Sequence, residues 1–516
     1  MTTAPARALP PSSVVHRVVH RVGAAVESRW TVPLAAVLVV LLRLPGLSRP
    51  VRADEAGFLL VARSWDPSPD SVYGRYFVDR PPLLIEVFRL SDLLGGPLFI
   101  RVLGALAAAL LVVAAARTAR LVAGERAAGW VAVAVAAMSA NTLIDAVAVK
   151  GELLGVPFVM AGCWLSLLAL RRDSATLAFL AGVLACTAVG FKQNLAGGLA
   201  FAGALLLASL LTRAVAPGTF ARLALAGLAG AATPVAATVA WAWSQGVRLD
   251  VLWYAVYGFR SDAAAALAGE ATGEPATRLA TLVLSAVGAG MLLIVAGFVV
   301  HVRGEWAGDP ALTAATATLV LFDLTALVLG GSFWRDYLLA LLPATALCAA
   351  LLVRHGSRRG LRMRAVILGA AASTVVCLLG WVVIQASGLQ EFDEVRTGQA
   401  VGRAAAPDDT MVVFGGRADL QLASSMASPY EHLWSLPMRT LDPDLAELAA
   451  VVAGPERPTW IVEWVDFTTW SPAGGAALAD LVGSEYVAHG AGCGDTGRTV
   501  WLLRGVERPA VTPDCG

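Results

Sequence analysis

Lysine is nearly missing from this 516-residue chain: it stands only at Lys150 and Lys192, and charged residues of all kinds make up 15%. With 39 Lys and Arg against 38 Asp and Glu, the net charge of +1 lacks the basic surplus by which nucleic-acid binding is read. The histidines show no metal-ligand spacing, and no CxxC pair occurs, so no dedicated metal site is expected. The Gly415-Gly416 pair lacks the GxGxxG spacing and reads as a turn rather than a nucleotide-binding loop. No small-x-small cleavage site follows the first apolar run, which is therefore read as a retained span. No internal repeat is visible, which argues against a transporter built from duplicated halves.

What is present is apolar. Hydrophobic residues make up 57% of the chain, above the about 45–50% of ordinary soluble domains. Mean hydropathy is +0.68, and the surplus falls in long blocks, as in a polytopic membrane protein. About eleven blocks approach the roughly 20 residues that a span needs. They run from Thr31 to Leu47, Leu98 to Val122, Ala127 to Ile144, Leu153 to Leu170, Ala175 to Phe191, Leu195 to Leu211 and Ala221 to Trp243. Four more run from Leu279 to Val300, Ala311 to Leu329, Tyr337 to Val353 and Ala365 to Ile384.

Arginines orient the spans. A cytoplasmic N-terminus, carrying Arg7, Arg17, Arg21 and Arg29, puts Arg117, Arg120 and Arg126 inside. Arg171 and Arg172, then Arg213 and Arg222, and finally the Arg354–Arg364 cluster fall on the same side. An odd number of spans leaves the C-terminal region outside. The expected organisation is a cytoplasmic tail over 1–30, a membrane module over 31–388 and an extracytoplasmic α/β domain over 389–516. Long outside loops cover 48–97 and 244–278, the second rich in aromatics, and function is sought on that face.

In the C-terminal region Thr410–Phe414, Trp460–Val465, Tyr486–Ala488 and Thr499–Arg504 read as strands. Pro443–Ala453 and Ala473–Val482 read as helices. Cys493 and Cys515 lie in this polar region, and either a disulfide or two free thiols fits their placement. Cys163, Cys186, Cys348 and Cys377 read as apolar packing residues. Arg43 is expected to reach the outer interface, and Asp323, at the middle of a span, to face a partner inside the bundle.

The first outside loop carries the strongest chemical signal. Asp54 and Glu55 follow the first span at the membrane surface, where partial desolvation makes a carboxylate a better base. Tyr76-Phe77-Val78-Asp79-Arg80-Pro81-Pro82-Leu83 follows in the same loop. An acidic pair and then this string resemble the first periplasmic loop of GT-C glycosyltransferases, nearest to the branch of lipid A aminoarabinose transferases and protein O-mannosyltransferases. Asp79-Arg80 stand where that branch has Glu-Lys. Gly182 to Asn194, with Lys192 in the lysine position, resembles the family's Thr-Lys join between two spans. Arg335-Asp336-Tyr337-Leu338-Leu339 followed by Pro343 resembles its Arg-Tyr-Leu-Leu start of a late span. Glu152 stands where an acidic residue is common.

The resemblance implies an all-helical GT-C bundle with amphipathic segments in the first outside loop. It also implies transfer of a hexosyl or pentosyl group from a polyprenyl-phosphate donor, with inversion. The acceptor would be a cell-envelope glycan, a glycolipid or a protein. In this reading Asp54 is the base and Glu55 supports oxocarbenium charge. Arg80, Lys192 and Arg335 bind the donor phosphate, with Asp79, Glu152 and Tyr337 lining the site. Acids and cations are expected to share one external pocket in the inner membrane. An acidic pair facing phosphate is compatible with a divalent cation, although no cofactor is specified. The rival reading is a transporter or flippase of a lipid-linked sugar, which shares the basic outer surface without needing Asp54 as a base.

Overall fold

The computed structural model describes residues 22–268, 274–388, 392–494 and 498–515. Arg7, Arg17 and Arg21, the middle of the second outside loop and the expected domain boundary at 389 lie outside them. The chain divides into two compact units. One comprises 1–46, 102–236 and 273–382; the other comprises 47–101, 237–272 and 383–516.

Among the described residues, seven helices are long and apolar enough to cross a membrane: Pro97–Ala123, Gly151–Arg172, Pro217–Ser244, Met291–Gly308, Pro310–Leu329, Arg335–Val353 and Arg358–Ala386. Shorter apolar helices cover Thr31–Gly46, Ala175–Val189, Gly197–Leu211 and Ala276–Gly288. The expected span from Leu279 to Val300 is corrected. A break separates Glu274–Gly288 from Met291–Gly308, because Gly290 takes φ +81°, a backbone state outside the helical region that glycine enters without steric penalty.

In the first unit, leucines and valines such as Leu211, Leu225, Leu284, Val300, Leu329 and Val376 are exposed, the outward apolar surface expected of helices in lipid. Helix Leu342–Val353 is instead buried along its whole length and forms the centre of the unit. Helices Ala175–Val189 and Pro217–Ser244 cross so closely that a Cβ on Gly182 would lie 2.0 Å from the Gly227 carbonyl oxygen. Small residues permit this approach where apolar side chains gain little by leaving lipid. Arg43 does not reach an interface: it is buried and donates to the Ser139 carbonyl at 3.0 Å. Asp323 is buried, and its Oδ2 has no hydrogen-bond partner among the described residues.

The second unit opens with two helices, Ala53–Arg63 and Pro82–Leu94, in the loop over 48–97. The loop over 244–278 contributes Leu249–Trp253, a π-helical turn over Tyr254–Gly258, and Phe259–Ala268. The C-terminal part builds a sheet from β1 (Met411–Phe414), β2 (Trp460–Glu463), β3 (Tyr486–Ala491) and β4 (Thr499–Leu503), in the order β1-β2-β4-β3. β1 and β2 are parallel and the other pairs antiparallel.

Alternation along β1 sends Met411 and Val413 to one face and Val412 and Phe414 to the other. The first face packs on Val401 and Leu420, the second on Leu448, Val452, Leu478 and Val482. The sheet is therefore covered by helices on both sides. Expected strands and helices match these elements to within a few residues. Helices Asp393–Ala404, Ala418–Ser424 and Ser435–Leu441 are additional. The turn at Gly415-Gly416 is present, with φ +117° and +69°. Of the two readings of Cys493 and Cys515, the disulfide is the one formed.

Asp409, just before β1, accepts from Arg508 Nε at 2.8 Å and Nη2 at 2.6 Å, from the Ala406 N–H and from Trp460 Nε1. Burial alone would raise its pKa, but these donors outweigh burial and hold it at about 2, below the ordinary 3.8. A carboxylate whose folded pKa is depressed adds stability above the unfolded value and loses it as pH falls toward the folded one. Melting temperature followed by tryptophan fluorescence should therefore fall steeply between about pH 4 and pH 2. Asp409→Asn should lower it at neutral pH and flatten that acid slope.

Candidate active site

Helix Ala53–Arg63 positions the acidic pair. Arg52 is its N-cap and Glu55 its third residue. The Glu55 carboxylate accepts from the Arg52 N–H at 3.2 Å, and it meets Arg101 through Nε at 2.5 Å and Nη2 at 2.6 Å. Glu55 has no exposed surface and Arg101 is 3% exposed. In this arrangement Glu55 anchors the helix, whereas the role expected of it beside the oxocarbenium needs a face open to the sugar ring.

Successive helical residues point about 100° apart, so Asp54 turns away from this anchor. It is half-buried, and its Oδ1 accepts from Trp434 Nε1 at 3.1 Å. The indole reaches it by lying on Gly57, where a Cβ would come within 2.1 Å of the Trp434 ring. The first turn of the helix also presents the positive end of its dipole to Asp54. Arg417 is nearby: burial lowers its pKa, but Asp419, Glu394 and Asp54 more than offset this and hold it protonated.

Arg80 follows in the same unit. Its Nη1 donates to Asp79 Oδ1 at 2.6 Å, and its guanidinium lies 5.7 Å from the centre of the Phe58 ring, which in turn packs on Trp434. Arg260 pairs with the other Asp79 oxygen. Two guanidiniums thus share one buried carboxylate. Arg260 was not foreseen. The signal was the aromatic run before it, because Phe259 packs on Phe77 at 5.0 Å and carries Arg260 to Asp79. Tyr73 donates to the Arg80 carbonyl; burial, then the Asp79 charge, push its pKa well above the usual 10, with Arg80 opposing.

The remaining candidates lie in the first unit. Lys192 is buried, pairs with Glu152 and lies 4.0 Å from the centre of the Tyr337 ring. Glu152 and Tyr337 are therefore immediate neighbours of Lys192. Asp336 pairs with Lys150 at 3.1 Å, which makes both lysines of the chain members of ion pairs with buried acids. Arg335 is half-buried and has no ion pair among the described residues. Lys150 was also not foreseen: sequence offered no indication that it would meet an aspartate so far along the chain.

No protein-family model matches this chain, and no curated protein sequence does. Solved structures match its fold. ArnT from Cupriavidus metallidurans bound to undecaprenyl phosphate gives a TM-score of 0.63 at 15% identity, over 91% of this chain and 97% of that one. The Archaeoglobus fulgidus oligosaccharyltransferase in complex with Zn and sulfate gives 0.57 at 13% identity, over 92% and 73%. AglB from Archaeoglobus fulgidus, in complex with an inhibitory peptide and a dolichol-phosphate, gives 0.52 at 12% identity, over 92% and 74%. At these identities the likeness is one of fold.

Removing one member of a buried ion pair strands the other charge, at about 3–5 kcal/mol, whereas replacing both with apolar groups is often neutral. Arg101→Met should therefore destabilise the second unit by about that amount. The double variant Glu55→Leu/Arg101→Met should recover most of the loss, as read by thermal melting in detergent. Equal destabilisation by both would show that Glu55 is not anchored through Arg101.

Proposed function

We propose that this chain is a membrane glycosyltransferase that moves a monosaccharide from a polyprenyl-phosphate donor to an extracytoplasmic acceptor. The reading is carried by Asp54: a half-buried carboxylate at a helix N-terminus, held by Trp434, on a fold shared with a protein bound to undecaprenyl phosphate. The enzyme lies in the inner membrane with its N-terminus cytoplasmic and its C-terminal domain outside. The acceptor is a cell-envelope glycan, a glycolipid or a protein.

The acceptor hydroxyl attacks the anomeric carbon from the face opposite the phosphate. Asp54 takes the hydroxyl proton as the new carbon–oxygen bond forms. The bond from the anomeric carbon to the phosphate oxygen breaks, and polyprenyl phosphate leaves with the electron pair. One displacement inverts the centre. Arg80, Lys192 and Arg335 neutralise the charge that builds on the phosphate, and Asp79 orients Arg80 together with Arg260. Glu152 and the Tyr337 ring hold Lys192 in place. The Asp54–Glu55 pair does not fit a divalent cation as a two-carboxylate ligand set, because Arg101 takes both Glu55 oxygens. No step is routed through a metal there. No observation favours a flippase.

Asp54→Asn in purified protein should lower kcat with a polyprenyl-phosphate sugar by about 10²–10⁴ while donor binding survives. Full turnover would remove Asp54 from the chemistry. Arg80→Ala and Arg335→Ala should each weaken donor binding by about 10- to 100-fold, the equivalent of a charge-assisted contact of roughly 1.5–3 kcal/mol. Lys192→Met is best made with Glu152→Gln, so that no buried charge is stranded. Unchanged donor affinity in any of these variants would exclude that cation from the phosphate.

A further inference from the structure

One cluster of ligating side chains has no part in the site described above. Glu431, His432 and Glu447 bring one carboxylate oxygen or ring nitrogen each to within 4.8 Å of one another. His432 Nε2 lies 3.6 Å from Glu431 Oε1 and 3.5 Å from Glu447 Oε2. The His432 side chain is wholly buried, and neither ring nitrogen has a hydrogen-bond partner among the described residues. A buried imidazole ordinarily places at least one nitrogen in a hydrogen bond. Tyr430 and Phe77 fix the ring by edge contacts, with centroids 4.9 Å and 6.4 Å away.

We propose that Glu431, His432 and Glu447 form a binding site for a divalent cation of the zinc type. Ligand atoms about 2.0–2.2 Å from a tetrahedral zinc stand roughly 3.3–3.6 Å from one another. The two histidine–carboxylate separations already match that spacing. Imidazole with two carboxylates suits first-row cations better than calcium or magnesium, which favour all-oxygen sets. Both glutamates are nearly half exposed, so an ion can enter from solvent and keep a fourth position for water.

The neighbouring acid is already committed: Asp442 accepts from the Tyr430 hydroxyl and from the Glu447 and Leu448 N–H groups. The ion would tie the segment around His432 to helix Ala446–Ala453. The Phe77 N–H, in the first outside loop, donates to the Glu431 carbonyl at 3.2 Å. The same segment carries Trp434, the partner of Asp54. The bound cation therefore braces the loop that holds the candidate base.

The test is zinc binding by the full-length protein in detergent, stripped with EDTA and then titrated calorimetrically with zinc alone. One tight equivalent and a rise in melting temperature are expected, and cobalt in its place should give visible d–d absorption. Glu431→Gln and Glu447→Gln alter accessible side chains without removing bulk, so they should fold. Each should weaken zinc by at least about 10- to 100-fold, more than loss of an outer partner does, and abolish the cobalt spectrum. No tight zinc in the wild type, or equally tight zinc in the double variant, would overturn the site. Neither result depends on glycosyl transfer.

Discussion

The buried bidentate pair between Glu55 and Arg101 is the constraint on which the 48–97 loop depends. An ionised carboxylate enclosed by protein is tolerated only when a counter-charge and further donors satisfy it. Arg101 supplies the charge, and the Arg52 N–H supplies a third hydrogen bond. Once Glu55 is fixed inward, the helical rotation of about 100° per residue sends its neighbour Asp54 elsewhere. Two adjacent acids thus acquire opposite duties. One holds the helix, and the other stays partly exposed.

Trp434 completes that division of labour. Its indole rests on the helix at Gly57 and offers Nε1–H to Asp54. A donor to the ionised form stabilises the carboxylate, and the aromatic surface keeps water from one side of it. Phe58 continues the aromatic layer toward Arg80. Asp54, indole, ring and guanidinium therefore form a continuous set of contacts in one unit.

Most buried ionisable groups described in the other unit obey the same rule, Asp323 excepted. Charges among apolar helices persist when they are paired. Lys192 pairs with Glu152, Lys150 with Asp336, and buried Glu305 receives Arg354, His355 and Arg359. Lys192 and Glu152 were readable as candidates through the motif around them. Their pairing was not, because nothing local to either residue specifies a partner 40 positions away. Arg260 escaped notice for the same reason: it sits in no motif, and only the packing of Phe259 on Phe77 takes it to Asp79.

The sequence by itself determined the apolar helices, the location of the acidic pair and of Arg80, and the strand and helix order of the C-terminal region. These features follow from hydrophobic runs, side-chain periodicity and a short motif, all of them local. Helix breaks were less legible where a glycine interrupts a continuous apolar run, as at Gly290. Tertiary structure alone decided which of two adjacent acids is enclosed, which cation sits on which carboxylate, and that His432 meets Glu447. Partners lie 46 residues apart for Glu55 and Arg101 and 380 apart for Asp54 and Trp434. Charge and hydrogen bonding act over a few ångströms of space, and the order of residues along the chain does not encode that distance.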